Sequence, residues 1–120
     1  MRALFDTNIL VDYLNGFDAA KAELARYERR AISIITWIEV LTGARPAVES
    51  ETRQFLASFE RVELSEAIAD RAVVLRRTMK LRVPDAIILG TARVENLLLV
   101  TRNTKDFPPD TPGIRLPYRF

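Results

Sequence analysis

The sequence predicts an α/β fold, a sandwich in which a mostly parallel sheet packs between helices. Short strand-like apolar runs alternate along the chain with longer stretches of helical periodicity, the pattern of strands joined by helical crossovers. Turn and cap residues (Asn15-Gly16, Pro46, Ser65, Pro84, Glu95-Asn96) fall between these segments and separate them cleanly. The 120 residues, 48% hydrophobic and 28% charged, suffice for one continuous core, so a single domain spanning residues 1–120 is expected.

Residues 2–5 read as the first strand, and Thr7–Leu14 as a short helix stopped by Asn15-Gly16. Asp18 is placed to cap a second helix running to about Arg29, with Arg29-Arg30 at the negative end of its dipole. Ala31–Ile35 reads as a strand and Trp37 to about Ala44 as a helix, ended near Pro46. An amphipathic helix is expected over Val48–Phe59, then a short strand over Arg61–Leu64. Ser65 caps a long helix reaching about Leu81, with Ile68, Ala72, Leu75 and Met79 at helical spacing. Pro84 opens a helix over Asp85–Val94 that is apolar on nearly all sides. Leu97–Val100 is the next strand, and Ile114–Leu116 an edge strand that Pro117 stops.

Two absences narrow the chemistry. With no cysteine there is no disulfide, thiolate nucleophile or cysteine-based zinc site. With no histidine there is no imidazole base, which excludes Ser-His-Asp catalysis and histidine-based RNA cleavage. Carboxylates, hydroxyls, amides and basic groups remain, with a metal as the natural helper. The net charge is +2, and only Lys21, Lys80 and Lys105 of the 18 basic residues are lysines, so the cations are mostly arginines, which suit phosphate contacts. The start of the chain lacks a basic-then-apolar signal pattern, and no apolar run approaches the ~18–20 residues needed to span a bilayer. A soluble, cytoplasmic protein with no membrane partner is expected.

Four acids fall at related places. Asp6 follows the first strand, Glu39 the second and Asp106 the strand Leu97–Val100, while Asp85 lies in the first turn of the apolar helix before that strand. In a parallel sheet the carboxyl ends of the strands share one edge, where the ligand crevice forms, so these acids are expected to converge. Each also has a plainer reading. Asp6 can cap Thr7–Leu14, Thr36 and Glu39 match a capping box, Asp85 suits a helix N-terminus, and Asp106 sits in a polar turn. Against four separate caps stands the apolar setting of Glu39 (WIEVL) and Asp85 (AIIL), where uncompensated burial would be costly and a cation would compensate. All-oxygen ligands point to magnesium or manganese, and an acidic cluster in an arginine-rich chain to phosphodiester hydrolysis. Asp12 reads as a surface charge on the first helix.

The stretches FDTNIL, TWIEVLTGA, PDAIILGTA and VTRNTKDF resemble, in order, the motifs of PIN-domain ribonucleases, especially the VapC-type toxins of bacterial toxin–antitoxin pairs. The resemblance covers nearly the whole chain down to its proline-rich tail. It implies a three-layer α/β/α sandwich around a five-stranded, mostly parallel sheet, and RNA cleavage dependent on Mg2+ or Mn2+. It also implies neutralisation by a small cognate antitoxin, and a homodimer. Asp6, Glu39 and Asp85 match the three central acids; Asn103 or Asp106 would complete the metal site; Thr7, Asn8 and Thr101 match polar positions that orient acids, waters or phosphate. Rival readings are a phosphatase with an aspartate nucleophile, a receiver domain, and a noncatalytic module whose acids are only caps. The phosphatase would want an acid where Asn8 stands. The receiver's paired early acids are not matched by Glu39-Val-Leu.

Overall fold

The computed structural model describes residues 2–120. In chain order the elements are β1 (Arg2–Phe5), α1 (Thr7–Leu14), α2 (Asp18–Ala25), β2 (Arg29–Ser33), α3 (Ile34–Gly43), α4 (Glu49–Ala57), β3 (Glu60–Val62), α5 (Glu66–Met79), α6 (Val83–Val94), β4 (Leu98–Val100) and β5 (Ile114–Arg115). The strands form one parallel sheet in the order β3-β2-β1-β4-β5. β1 is central, with Leu4 opposite Ala31 of β2 and Leu99 of β4.

Alternation along the strands divides the core into two layers. Leu4, Ala31 and Leu99 face α5 and α6, where Ala72, Leu75, Ala86 and Leu89 meet them. Ala3, Phe5, Ile32 and Val100 face the other way, onto Ile9, Leu10, Leu24, Val40 and Leu56 of α1–α4. The helix α6 is buried almost all round, as its composition requires, and Gly90 lets it approach α5 closely. A Cβ there would lie 3.3 Å from the Ile68 carbonyl oxygen and 3.4 Å from the Ala72 nitrogen.

Several boundaries differ from the sequence expectation. α2 ends at Ala25, and Arg29-Arg30 begin β2 instead of closing a helix, because β1 pairs with them (Arg2↔Arg29, Ala3↔Arg30) and Glu60 of β3 binds Arg29 at 2.7 Å. Asp18 occupies the first turn of α2; the N-cap is Phe17, without a side-chain cap bond. α3 starts at Ile34 because the buried Ser33 caps it, its Oγ accepting Ile35 N–H at 3.0 Å. Thr36 and Glu39 are therefore interior helix residues, and the capping box does not form. Pro46–Val48 make a 3-10 turn ahead of α4. The Ser65 cap holds as expected, its Oγ accepting Ile68 N–H at 3.2 Å.

Candidate active site

Strand order reverses beside β1: the chain goes from β1 outward to β2 and β3, then returns across to β4 and β5. A crevice opens at such a switch, beyond the carboxyl ends of the two diverging strands. Asp6 and Thr101 stand there, each the first residue past β1 and β4, and Asp6 N–H donates to Val100 O at 2.9 Å. Asp6 is only 4% exposed. Its Oδ1 accepts Thr7 N–H at 2.7 Å, and its Oδ2 accepts the Thr101 hydroxyl at 2.7 Å and Asn8 Nδ2–H at 3.3 Å. The residue is thus the N-cap of α1 as well as the centre of a polar network. Burial pushes its pKa up from 3.8 to about 6; the Thr101 and Thr7 hydrogen bonds hold it down, and the Asp85 and Glu39 charges raise it further.

Glu39 is exposed, contrary to its apolar sequence neighbours, because its position on α3 turns it out of the core towards the crevice. Its Oε1 accepts the Thr7 hydroxyl at 2.6 Å, and that hydroxyl lies 3.1 Å from Thr36 Oγ1. Asp85, 7% exposed in the first turn of α6, has its pKa raised by burial; Arg82 opposes this, while Asp106 and Glu39 add to it. Arg82 reaches both acids, at 3.3 Å from Asp85 and 3.7 Å from Asp106. Asn103 forms a reciprocal turn with Asp106: its Oδ1 accepts Asp106 N–H at 3.1 Å and its Nδ2 donates to Asp106 Oδ2 at 2.9 Å. Asn8 Oδ1 accepts Arg102 N–H at 3.1 Å, tying the start of α1 to the loop after β4.

The arrangement accordingly gathers Asp6, Glu39 and Asp85 near enough to repel one another, with Asp106 beside Asp85. Thr7, Asn8 and Thr101 hydrogen-bond to acids of this set. Oxygen donors and accumulated negative charge suit a hard divalent cation. Among the described residues no three carboxylates already meet as a closed metal cage. Glu39 is turned to Thr7, and Asp85 and Asp106 to Arg82. Two contributors escape a reading based on acids alone: Arg82, whose only sequence signal is its three-residue spacing to Asp85, and Thr36, buried under Thr7. Asp12, read as a surface charge, is instead buried, because α1 turns it towards Arg102 and Tyr118.

Known proteins bear on this geometry. The family model for the PIN domain matches residues 3–108. Ribonuclease VapC10 of Mycobacterium tuberculosis is 33% identical over 113 residues, covering 88% of this chain and 85% of its own. A chain of a toxin-antitoxin complex from Klebsiella pneumoniae superposes with a TM-score of 0.93 at 48% identity, over 98% of this chain and 99% of that one. A chain of VapBC2 from Rickettsia felis, in a crystal structure bound to a DNA fragment from their promoter, gives 0.77 at 25% identity, over 100% and 99%. With the family model covering most of its length and a ribonuclease relative 33% identical across nearly all of it, the chain belongs to the PIN-domain family.

Proposed function

We propose that this chain is an endoribonuclease, the toxin of a toxin–antitoxin pair, working in the cytoplasm as one PIN-like domain per chain and assembling as a homodimer with a small cognate antitoxin. The observation that carries the reading is the convergence of Asp6, Glu39 and Asp85 on one crevice, where Asp6 is held near pKa 6 by burial and by its acidic neighbours. The ribonuclease relative and the toxin–antitoxin neighbours give the same class of activity and partner. Asp6, Glu39, Asp85 and Asp106 would hold Mg2+ or Mn2+, with Asn103 beside them. When bound, the ion supplies positive charge for the phosphodiester and acidifies water.

The chain's own residues do the rest. Thr101 and Thr7 fix the Asp6 carboxylate by donating to its two oxygens, from a hydroxyl and a backbone N–H respectively. The Thr7 hydroxyl aims Glu39 into the crevice. Arg82, with its side chain 76% exposed beside Asp85 and Asp106, is a ready partner for an incoming phosphate, which competes with those carboxylates for it. Asp6→Asn, Glu39→Gln and Asp85→Asn are each expected to lower the cleavage rate by roughly a hundredfold or more, the scale of removing a preorganised charged group, while the domain stays folded. Rate assays on an RNA substrate beside thermal melts check this. If the acids serve only the fold, the variants keep their activity and any change appears in the melts alone, least from the lost cap at Asp6, where asparagine caps α1 about as well as aspartate.

A further inference from the structure

Two acids away from the crevice are as buried as Asp6: Asp12 is 2% exposed and Glu23 is 4% exposed. Each is held by a bidentate arginine and a tyrosine, and Glu23 also lies 3.7 Å from Arg26. Glu23 accepts Arg115 Nε–H at 2.7 Å and the Tyr27 hydroxyl at 3.1 Å. Asp12 accepts two bonds from Arg102, at 2.7 and 2.8 Å, and the Tyr118 hydroxyl at 2.7 Å. The Arg102 guanidinium also lies over the Phe120 ring, 4.5 Å from its centre. The two clusters are alike in make-up, but Arg115 meets the loop only through its backbone carbonyl, which accepts Thr101 N–H at 3.1 Å in the β4–β5 ladder, whereas the Arg102 side chain belongs to the loop itself.

Arg102 sits inside the loop that carries the site. Its own N–H donates to Asn8 Oδ1 at 3.1 Å. On one side Thr101 donates its hydroxyl to Asp6 at 2.7 Å; on the other, Asn103 donates its N–H to Thr101 Oγ1 at 3.0 Å and its Nδ2 to Asp106 at 2.9 Å. After the buried Thr101 the loop is next buried at Phe107, and the Arg102 side chain anchors the start of that span. A bidentate arginine–carboxylate pair fixes direction as well as distance. Tyr118 and Phe120 come from outside residues 3–108, the span of the family match.

We propose that the C-terminal segment Tyr118–Phe120, acting through the buried Asp12–Arg102 pair, positions the Thr101–Asp106 loop against Asp6, which makes Arg102, Asp12 and Tyr118 positioning residues for RNA cleavage. The role rests on the nuclease reading of the crevice. None of the three touches the reacting atoms. They set where the Thr101 hydroxyl and the Asn103–Asp106 turn stand, and displacement on the scale of an ångström is enough to slow a reaction that depends on alignment.

The test compares Tyr118→Phe and Asp12→Asn with Glu23→Gln, which breaks the companion cluster. Cleavage of a fluorophore–quencher single-stranded RNA is measured with Mn2+, and amide hydrogen exchange is followed on the same proteins without RNA or metal. Asp12→Asn is expected to lower kcat by roughly ten- to a hundredfold, Tyr118→Phe less, with KM within about twofold in both. Glu23→Gln is expected to keep kcat within about twofold. The Arg102 and Asn103 amides should exchange faster in the first two variants only. Arg102→Lys, which keeps the charge without the bidentate fork, should behave like Asp12→Asn. Activity losses in all variants that merely follow their loss of melting temperature overturn the positioning role, as does unchanged exchange at Arg102 and Asn103. A wild type that does not cleave RNA overturns the nuclease reading, and the exchange measurement still decides the anchoring.

Discussion

Asp6 joins two demands that oppose each other: it caps α1 from a buried position, and it must carry charge beside other acids. Because the folded chain holds its proton up to about pH 6 and the unfolded chain only to about pH 3.8, the folded state binds more protons between those values. Stability of the metal-free protein therefore falls as pH rises through that window, by up to about 3 kcal/mol from this one group. Asp6→Asn removes the effect, so the stability of the variant relative to wild type should increase between pH 4.5 and pH 7.5. Denaturant titrations in chelator at both values measure the difference. Asp106 is partly exposed and held by Asn103 and Arg82. Asp106→Asn should weaken Mn2+ binding less than Asp6→Asn does. Asn103→Asp, which sets a carboxylate where an amide now donates to Asp106 at 2.9 Å, should tighten it, because a cation relieves the added repulsion. Calorimetric titration at one ionic strength ranks the three. Asp12 shows how far a single residue can be read in advance: its charge is plain in the sequence, but its partners Arg102 and Tyr118 lie 90 and 106 residues away.

Elements are set first by local pattern and then trimmed by their neighbours. α1 begins and ends where its cap and its Asn15-Gly16 stop place it, since Gly16 adopts a φ of 85° that suits glycine. α3 begins earlier than its apolar run suggests, because Ser33 is both the last residue of β2 and a good cap. That shift turns Glu39 from a capping residue into one projecting at the crevice. The contact between α5 and α6 depends on a missing side chain. Gly90→Ala puts a methyl group against the backbone at Ile68 and Ala72, which cannot swing aside as a side chain would. A loss of about 1–3 kcal/mol is expected from overpacking, offset in part by the better helix propensity of alanine. Urea denaturation of the variant measures it; unchanged stability would mean that the two helices separate without penalty.

For the molecule as a whole, the order of strands decides where chemistry happens. Placing β1 between β2 and β4 brings residues 6 and 101 side by side, and α3 and α6 then deliver Glu39 and Asp85 to the same edge. No helix among the described residues is long and apolar enough to cross a membrane. With no histidine in the chain to activate a ribose hydroxyl, water is the expected nucleophile on RNA. Chelation should stop cleavage, Mg2+ or Mn2+ should restore it, and the fragments should carry 5′-phosphate and 3′-hydroxyl ends. Enzymatic end-labelling of the products reads this directly, and a 2′,3′-cyclic phosphate would assign the attack to the ribose instead.

The features legible in the linear chain are local ones. Apolar periodicity marked nearly every helix and strand, the caps at Asp6 and Ser65 held, and four short motifs in order pointed to one family. These features depend on residues a few positions apart, and a linear reading registers them. The tertiary structure decided everything that depends on pairing across long separations. Parallel registry drew Arg29-Arg30 into β2, burial raised the pKa of Asp6, Arg82 came to stand between Asp85 and Asp106, and the chain's last residues closed over Arg102. A charge in a sequence has a sign but no surroundings. Its solvent exposure and its partners, which set its pKa and its role, exist only once the chain is folded.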